Sequence, residues 1–513
     1  MYFSNLNLVL SKNQCDVKLR VMIKLLAKNN FLFTKVISFF LLITFVLFFS
    51  LYKLEKSPPI WYDEGIYNQV AINIANHFKY KIQIAPSEFA DTSLITGGYP
   101  FLLPIAFSFK LFGINLLNAR LVMVLFMLLL GIMSFSLIRK LFGTRQGILA
   151  LLLLVSFPVL YGIGKGVLGE VPGMFFLVTF FYILEKIRIS PSNKNSWLYV
   201  LAGLFSGLSV ATKPFFLILI PITILLFWLY RKENRNYFDP GKIIILGLVF
   251  FVMMFIWLAT QFGVNSSFHD VIRYYANPYG HLNILDIVIK NFISFFSETT
   301  PLYLLIIMII WLFSLIVRYI KKIPITFIEF GIFMFSIITC LTYLRMASWY
   351  RYLFPAQVFS LLFLPSSLQF SYDYVTNKIE ILKKIKIIPI VITVVVGINI
   401  YSLLFNSWVA NHYNNNRNIT LKKYFEKIDK EKSLFLYNTP VIPLFLKNDN
   451  YYQFIRPTES ILIGQNQLAK IKNHVPDMIV VYEKEYSRMT DFFYPYIKKD
   501  TIGEYVILQQ TNK

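Results

Sequence analysis

Apolar residues along this chain gather into runs of about 20, long enough for a helix to cross the hydrocarbon of a bilayer, with short polar connections between them. The runs fall near residues 33–54, 117–138, 147–163, 168–186, 197–212, 214–230, 243–262, 300–317, 325–344, 352–370 and 387–407, which predicts about eleven transmembrane helices. A further apolar stretch, Pro100–Phe112, is only about a dozen residues long and reads as a helix lying in the interface. Beyond residue 408 the pattern changes. Expected helices over Ile419–Glu431 and Glu459–Asn473 alternate with β-type runs at Ser433–Tyr437, Met478–Tyr482 and Tyr505–Leu508, the pattern of a small α/β domain.

Charge orients these segments. Connections expected in the cytoplasm hold Arg139, Lys140 and Arg145; Lys186, Arg188 and Lys194; Arg231, Lys232, Arg235 and Lys242; Arg318, Lys321 and Lys322; and Lys378, Lys383, Lys384 and Lys386. The intervening connections hold one or two basic residues each, such as Lys165, Lys213, and Arg345 with Arg351, so the alternation runs through the whole membrane domain. The tail over 1–32 is then cytoplasmic, and the run after it reads as an uncleaved signal anchor, whether the frame starts at Met1 or at Met22. The membrane domain spans 33–408 with long outer loops at 55–116 and 263–299, and 409–513 forms a soluble extracytoplasmic domain.

Composition supports a multi-pass protein of the cell membrane, with 56% hydrophobic and 15% charged residues. The net charge of +23 lies in short clusters between apolar runs, which suits anionic lipid headgroups and excludes a nucleic-acid groove. Cys15 and Cys340, the two cysteines, sit in the basic tail and inside an apolar run, so no disulfide framework or cysteine metal site is implied.

Candidate chemistry collects at the outer ends of spans. Asp63 and Glu64 follow the first span in Trp61-Tyr62-Asp63-Glu64-Gly65-Ile66-Tyr67, where neighbouring carboxylates split roles or simply sit in a hydrated loop. Glu170 stands at the mouth of an apolar run, a costly place unless it faces a polar cavity or pairs with Lys165. Lys213, in Ala211-Thr212-Lys213-Pro214, meets a phosphate or snorkels to the surface. Arg345 and Arg351 flank Trp349 and Tyr350, as a phosphate clamp or as anchors of an interfacial aromatic belt. The loop over 263–299 adds Arg273, Tyr274, His281 and Asp286; His269 and His281 lack a metal-ligand spacing.

In this order the segments resemble polytopic glycosyltransferases of the GT-C superfamily, in the branch of protein O-mannosyltransferases and bacterial aminoarabinose lipid A transferases. The resemblance covers roughly residues 33–370 and rests on Asp63-Glu64-Gly65-Ile66-Tyr67, Gly98-Tyr99-Pro100-Phe101, Asn118-Ala119-Arg120-Leu121, Leu168-Gly169-Glu170-Val171-Pro172, Thr212-Lys213-Pro214 and Arg351-Tyr352-Leu353-Phe354-Pro355. It implies a GT-C-like helical fold and transfer of a sugar from a polyprenyl phosphate to a hydroxyl of a protein or lipid, outside the cytoplasm. By it, Asp63 is the general base, Glu64 and Glu170 orient acceptor or donor, and Lys213, Arg345 or Arg351 hold the leaving phosphate. Tyr67, Tyr99, Arg273 and Tyr350 are then expected to line the substrate cavity. Tyr99-Pro100 replaces the His-Pro or Lys-Pro of many relatives, so a requirement for a divalent cation is not carried over, and no cofactor is assigned. A transporter of lipid-linked sugars is the rival class; it calls for charges near the midplane and two similar halves, and the charges here sit at span ends.

Overall fold

The apolar runs form helices whose ends are fixed by local chemistry. In this computed structural model, residues 36–92, 96–189, 195–233, 239–262, 283–346, 349–377, 379, 387–458, 461–473 and 475–511 are described. The membrane domain comprises α1 (Val36–Leu51), α2 (Tyr62–His77), α3 (Tyr99–Phe112), α4 (Leu116–Phe142), α5 (Thr144–Ser156), α6 (Pro158–Gly164), α7 (Glu170–Ile189), α8 (Ser196–Thr212), α9 (Leu219–Glu233), α10 (Pro240–Phe262), α11 (Ile284–Ser297), α12 (Thr299–Ile320), α13 (Phe327–Leu344), α14 (Phe354–Thr376) and α15 (Ile387–Tyr401).

Among the described residues seven helical segments are long and apolar enough to span a membrane, or eight when α5 and α6 count as one span. Of the eleven expected spans, α1, α7 and α8 fall outside this set among the described residues and one run is bent. Proline at position 158 bends the run over 147–163 by 61° between α5 and α6. Glu170, Glu185, Lys186 and Arg188 crowd charge onto α7, whereas α8 has only 17 residues and α1 only its part from Val36 described. The Pro100–Phe112 stretch is α3, 14 residues long and too short to cross.

Helix α4 starts at Asn115, whose side chain accepts from the Asn118 amide, while Asn118 donates to the carbonyls of Phe112 and Gly113 and so ties α3 to α4. Gly113 and Gly143 flank α4 at φ 87° and 89°, backbone conformations that favour glycine. Helix α14 lies at the centre, 83% buried in its most apolar window, and α10 at the periphery with 11%. A slab of apolar side chains on α4, α7, α8 and α14, including Met123, Leu177, Phe180, Ala202 and Phe359, makes the core between them. Arg318, expected as a loop cation, is instead buried between α12 and α13, where its Nη1 donates to both Glu329 oxygens at 2.8 and 2.7 Å. Taking a guanidinium from water demands such a partner.

Between α2 and α3 the chain makes a hairpin, β1 (Lys81–Ala85) with β2 (Glu88–Asp91). The C-terminal part builds a six-stranded sheet from β3 (Leu434–Tyr437), β4 (Tyr451–Thr458), β5 (Ile461–Ile463), β6 (Met478–Tyr482), β7 (Tyr496–Ile502) and β8 (Tyr505–Gln510), in the order β5-β4-β3-β6-β8-β7. Central β3 is parallel to both β4 and β6 and wholly buried, which suits its continuous Leu-Phe-Leu-Tyr run. The helix expected over Glu459–Asn473 is displaced, since Ile461–Ile463 pairs with β4 and helix is confined to Gln465–Lys472. The stretch Ile419–Glu431 is helical only to Phe425, within Arg417–Phe425. Strands β4 and β7 are not among the β-type runs noted in the sequence.

One close approach links the turns around the site. The Gly98 amide donates to the Thr212 carbonyl at 3.0 Å, and a Cβ on Gly98 would stand 1.7 Å from the Ala211 oxygen. Gly98→Ala is therefore expected to push the 211–213 turn away, lowering the detergent-solubilised protein's melting temperature by several degrees; an unchanged melting curve would show that the turn yields freely.

Candidate functional site

The first turn of α2 presents two carboxylates with opposite surroundings. Trp61 precedes it in extended backbone, and the acids sit where the helix dipole favours negative charge. Glu64 points inward and is 1% exposed. Arg120 on α4 grips it with two parallel bonds, Nε to Oε1 and Nη2 to Oε2, each 3.0 Å, while the Val167 amide donates to Oε1 at 3.1 Å and the Trp61 amide to Oε2 at 3.3 Å. Both oxygens are thus occupied. The expectation that Glu64 orients a substrate is corrected: it is a strut joining α2, α4 and the 165–167 turn.

Asp63 faces the other way and keeps 28% of its side chain exposed. Its Oδ2 accepts from Arg351 Nη2 at 2.7 Å, a contact across 288 residues of sequence. Arg351 precedes α14 in the short 3-10 turn Tyr350–Leu353, and its Nε lies 3.8 Å from Glu170 Oε1. Glu170 opens α7 and pairs with Lys213, the residue that ends α8; these two side chains are 4% and 2% exposed. So the chain Asp63–Arg351–Glu170–Lys213 draws together four distant turns. Two acids and two cations balance one another there.

That network leaves hydrogen-bonding capacity unused. Arg351 Nε and Nη1 and Glu170 Oε2 are buried without a hydrogen-bond partner, and such groups are costly unless a ligand or water completes them. Aromatic rings wall the site. Arg351 lies 5.8 Å from the Trp349 ring centre and 5.4 Å from that of Tyr352, and Trp61 meets Trp349 edge-on at 5.2 Å and Trp408 at 6.2 Å. Trp349 and Trp408 remain exposed, offering flat faces of the kind on which sugar rings stack.

The remaining expected residues divide. Tyr67, one turn beyond Asp63, is buried with its hydroxyl 2.8 Å from Thr96 Oγ1; burial, and next the charge of Asp63, push its pKa well above the usual phenol value. Tyr99 is drawn away from the cavity, since its hydroxyl donates to the Met253 carbonyl at 3.4 Å and its ring packs on Ala211 and Trp257. Tyr350 stacks obliquely on Tyr343, 6.3 Å between centroids, and Arg345 caps α13 in an exposed position. Arg273, Tyr274, His269 and His281 lie outside the described residues, and Asp286 is exposed on α11. Lys165 does not pair with Glu170: it is buried, its Nζ donates to the Tyr52 carbonyl at 2.8 Å, and burial, then Arg120, lowers its pKa to about 7.

Two contributors were given no role in the sequence reading. Arg120 was legible in principle, because a guanidinium in an otherwise apolar helix requires a counter-charge. Asn291 on α11 gave no such signal, yet its amide donates to the carbonyls of Tyr343, Leu344 and Met346 and so fixes the turn that leads to Arg351.

Comparison with known proteins places the fold. A family model described as dolichyl-phosphate-mannose-protein mannosyltransferase matches residues 100–259. No curated protein matches the chain. Among solved structures, ArnT from Cupriavidus metallidurans bound to undecaprenyl phosphate superposes with a TM-score of 0.60 at 13% identity, covering 92% of this chain and 97% of that one. The Archaeoglobus fulgidus oligosaccharyltransferase in complex with Zn and sulfate gives 0.54 at 12% identity, covering 92% and 73%. At these identities the likeness is one of fold. Among the described residues no three His, Cys, Asp or Glu side chains gather as a metal site would require. Asp63 and Glu170 already face cations, so the described donor set does not suit a divalent ion and no step is derived through one.

Proposed function

We propose that this chain, a member of the GT-C superfamily by its fold and its matched segment, is a glycosyltransferase that moves a sugar from a polyprenyl phosphate to a hydroxyl of a protein or lipid at the outer face of the cell membrane. One observation carries the reading: Arg351 binds Asp63 through Nη2 while its other two nitrogens, Nε and Nη1, are buried and unspent beside the unspent Oε2 of Glu170. A buried guanidinium with spare N–H donors is suited to phosphate oxygens. The ArnT relative bound to undecaprenyl phosphate supports a lipid phosphate as the ligand.

The chemistry follows from the charges. The acceptor oxygen attacks the anomeric carbon, its proton passes to Asp63, and the bond from that carbon to the phosphate oxygen breaks with its electron pair going to the phosphate. Arg351 offsets the negative charge that gathers on the leaving group, and Lys213 holds the Glu170 carboxylate in place. Attack from the side opposite the phosphate inverts the sugar's configuration. Because Asp63 keeps more than a quarter of its surface open, an acceptor can reach it while the phosphate site stays enclosed.

The test is turnover by the purified full-length chain in vesicles supplied with a panel of undecaprenyl-phosphate monosaccharides and a membrane extract as acceptor. Release of undecaprenyl phosphate dependent on the chain is expected, and cells lacking it should accumulate one lipid-phosphate monosaccharide. Failure of every donor to react, with no such lipid accumulating, would overturn the proposal.

A further inference from the structure

The helix that carries Asp63 is seated on the C-terminal sheet at one particular place. From central β3 the chain passes to β4 on one side and later to β6 on the other, so the connections part at the carboxyl end of β3. Asn438 occupies that end at φ 56°, a left-handed conformation that asparagine tolerates better than most residues, with its amide donating to the Phe454 carbonyl at 2.7 Å. Its side chain is fully directed. Oδ1 accepts from the Tyr62 hydroxyl at 2.5 Å and from the Arg456 amide at 3.0 Å, while Nδ2 donates to Glu485 Oε1 at 2.7 Å. Tyr62 is held protonated as the donor, because burial and then the charge of Glu485 push its pKa far upward.

Further contacts set the same helix on the same segment. A Cβ on Gly65 would lie 2.7 Å from the Val441 nitrogen and 2.8 Å from the Pro440 carbonyl oxygen, so only glycine lets the helix approach this closely. Gln69 donates to the Pro440 carbonyl at 2.7 Å and exchanges bonds with Gln453. The adjoining residue of α2 to Tyr62 is Asp63 itself.

We infer that Asn438 is a positioning residue for Asp63, acting through the Tyr62 hydroxyl, so that the C-terminal sheet is part of the transfer machinery rather than only a lid or partner-binding module. The inference rests on the reading of Asp63 as the base. Displacement of a catalytic group by about 1 Å costs on the order of 100-fold in rate, and loss of the Asn438 side-chain amide removes the bond that holds the Tyr62 end of α2 to the sheet.

The experiment uses the full chain in lipid nanodiscs and compares Asn438→Ala, Tyr62→Phe and their double variant. With whichever undecaprenyl-phosphate monosaccharide the wild type turns over, each is expected to lower kcat about 100-fold, the double variant no further, and the Kd for undecaprenyl phosphate is unchanged. Arg417→Ala, which breaks the bonds from the helix Arg417–Phe425 to Glu504 and Tyr505 of the sheet, should lower the melting temperature and leave kcat alone. Asn438→Asp sets two carboxylates against each other, and adding Glu485→Gln should restore kcat by restoring a donor and an acceptor. A second readout is independent of turnover: hydrogen exchange at amides 62–69 should quicken about tenfold in Asn438→Ala and not in Arg417→Ala. Unaltered exchange, or an unaltered kcat in an enzyme that still needs Asp63, would overturn the inference and leave the proposed function standing. Turnover that does not need Asp63 would instead overturn the reading of Asp63 as the base, and failure of every donor would overturn the proposed function.

Discussion

Replacing Asp63 by Asn is expected to lower sugar transfer by about 100- to 10,000-fold, the usual weight of a positioned general base, while the protein folds and still binds a lipid phosphate. The amide is the same size and sits on the same exposed shoulder of α2, but it no longer accepts the acceptor's proton. It also releases Arg351, whose Nη2 is spent on the carboxylate at 2.7 Å. Steady-state kinetics separate the effects: kcat should collapse and donor KM should stay level or fall. Transfer retained in Asp63→Asn would remove the base from the mechanism.

The second large effect concerns stability. Arg120→Ala is expected to cost about 3–5 kcal/mol, because it strands the Glu64 charge in the interior. Both partners are essentially without solvent contact, at 0% and 1% exposure, so water does not replace the lost guanidinium. The loss reaches the site, since Glu64 also holds the Val167 amide three residues before Glu170. The measurement is the fraction folded after mild heating in detergent, by size-exclusion chromatography. Adding Glu64→Gln to Arg120→Ala should recover much of the loss by removing the stranded charge; a double variant as unstable as the single one would assign the cost to packing instead.

How much of this was legible in the sequence depends on whether a signal is local. Helices were, because apolar period and proline punctuation are local, and so was the Asp63-Glu64 pair as a candidate. Their division of labour was not. Adjacent residues on a helix point about 100° apart, and nothing nearby says which one finds Arg120. The Asp63–Arg351 and Glu170–Lys213 pairs join turns set by the packing of α7, α8 and α14, which no sequence spacing encodes. Spans were less legible at α7 and α8, which charge and length set apart from the longer apolar helices. Tyr99 was misplaced for a similar reason: the Gly98–Thr212 bond turns it toward α10.

The most direct test of the central claim is the affinity for undecaprenyl phosphate of the wild type, Arg351→Ala and Asp63→Asn, followed through the fluorescence of Trp61 and Trp349 beside the site. The account predicts a Kd raised at least about tenfold in Arg351→Ala, and unchanged or lowered in Asp63→Asn. Equal affinity of wild type and a folded Arg351→Ala would contradict it, because the lipid phosphate would then sit elsewhere.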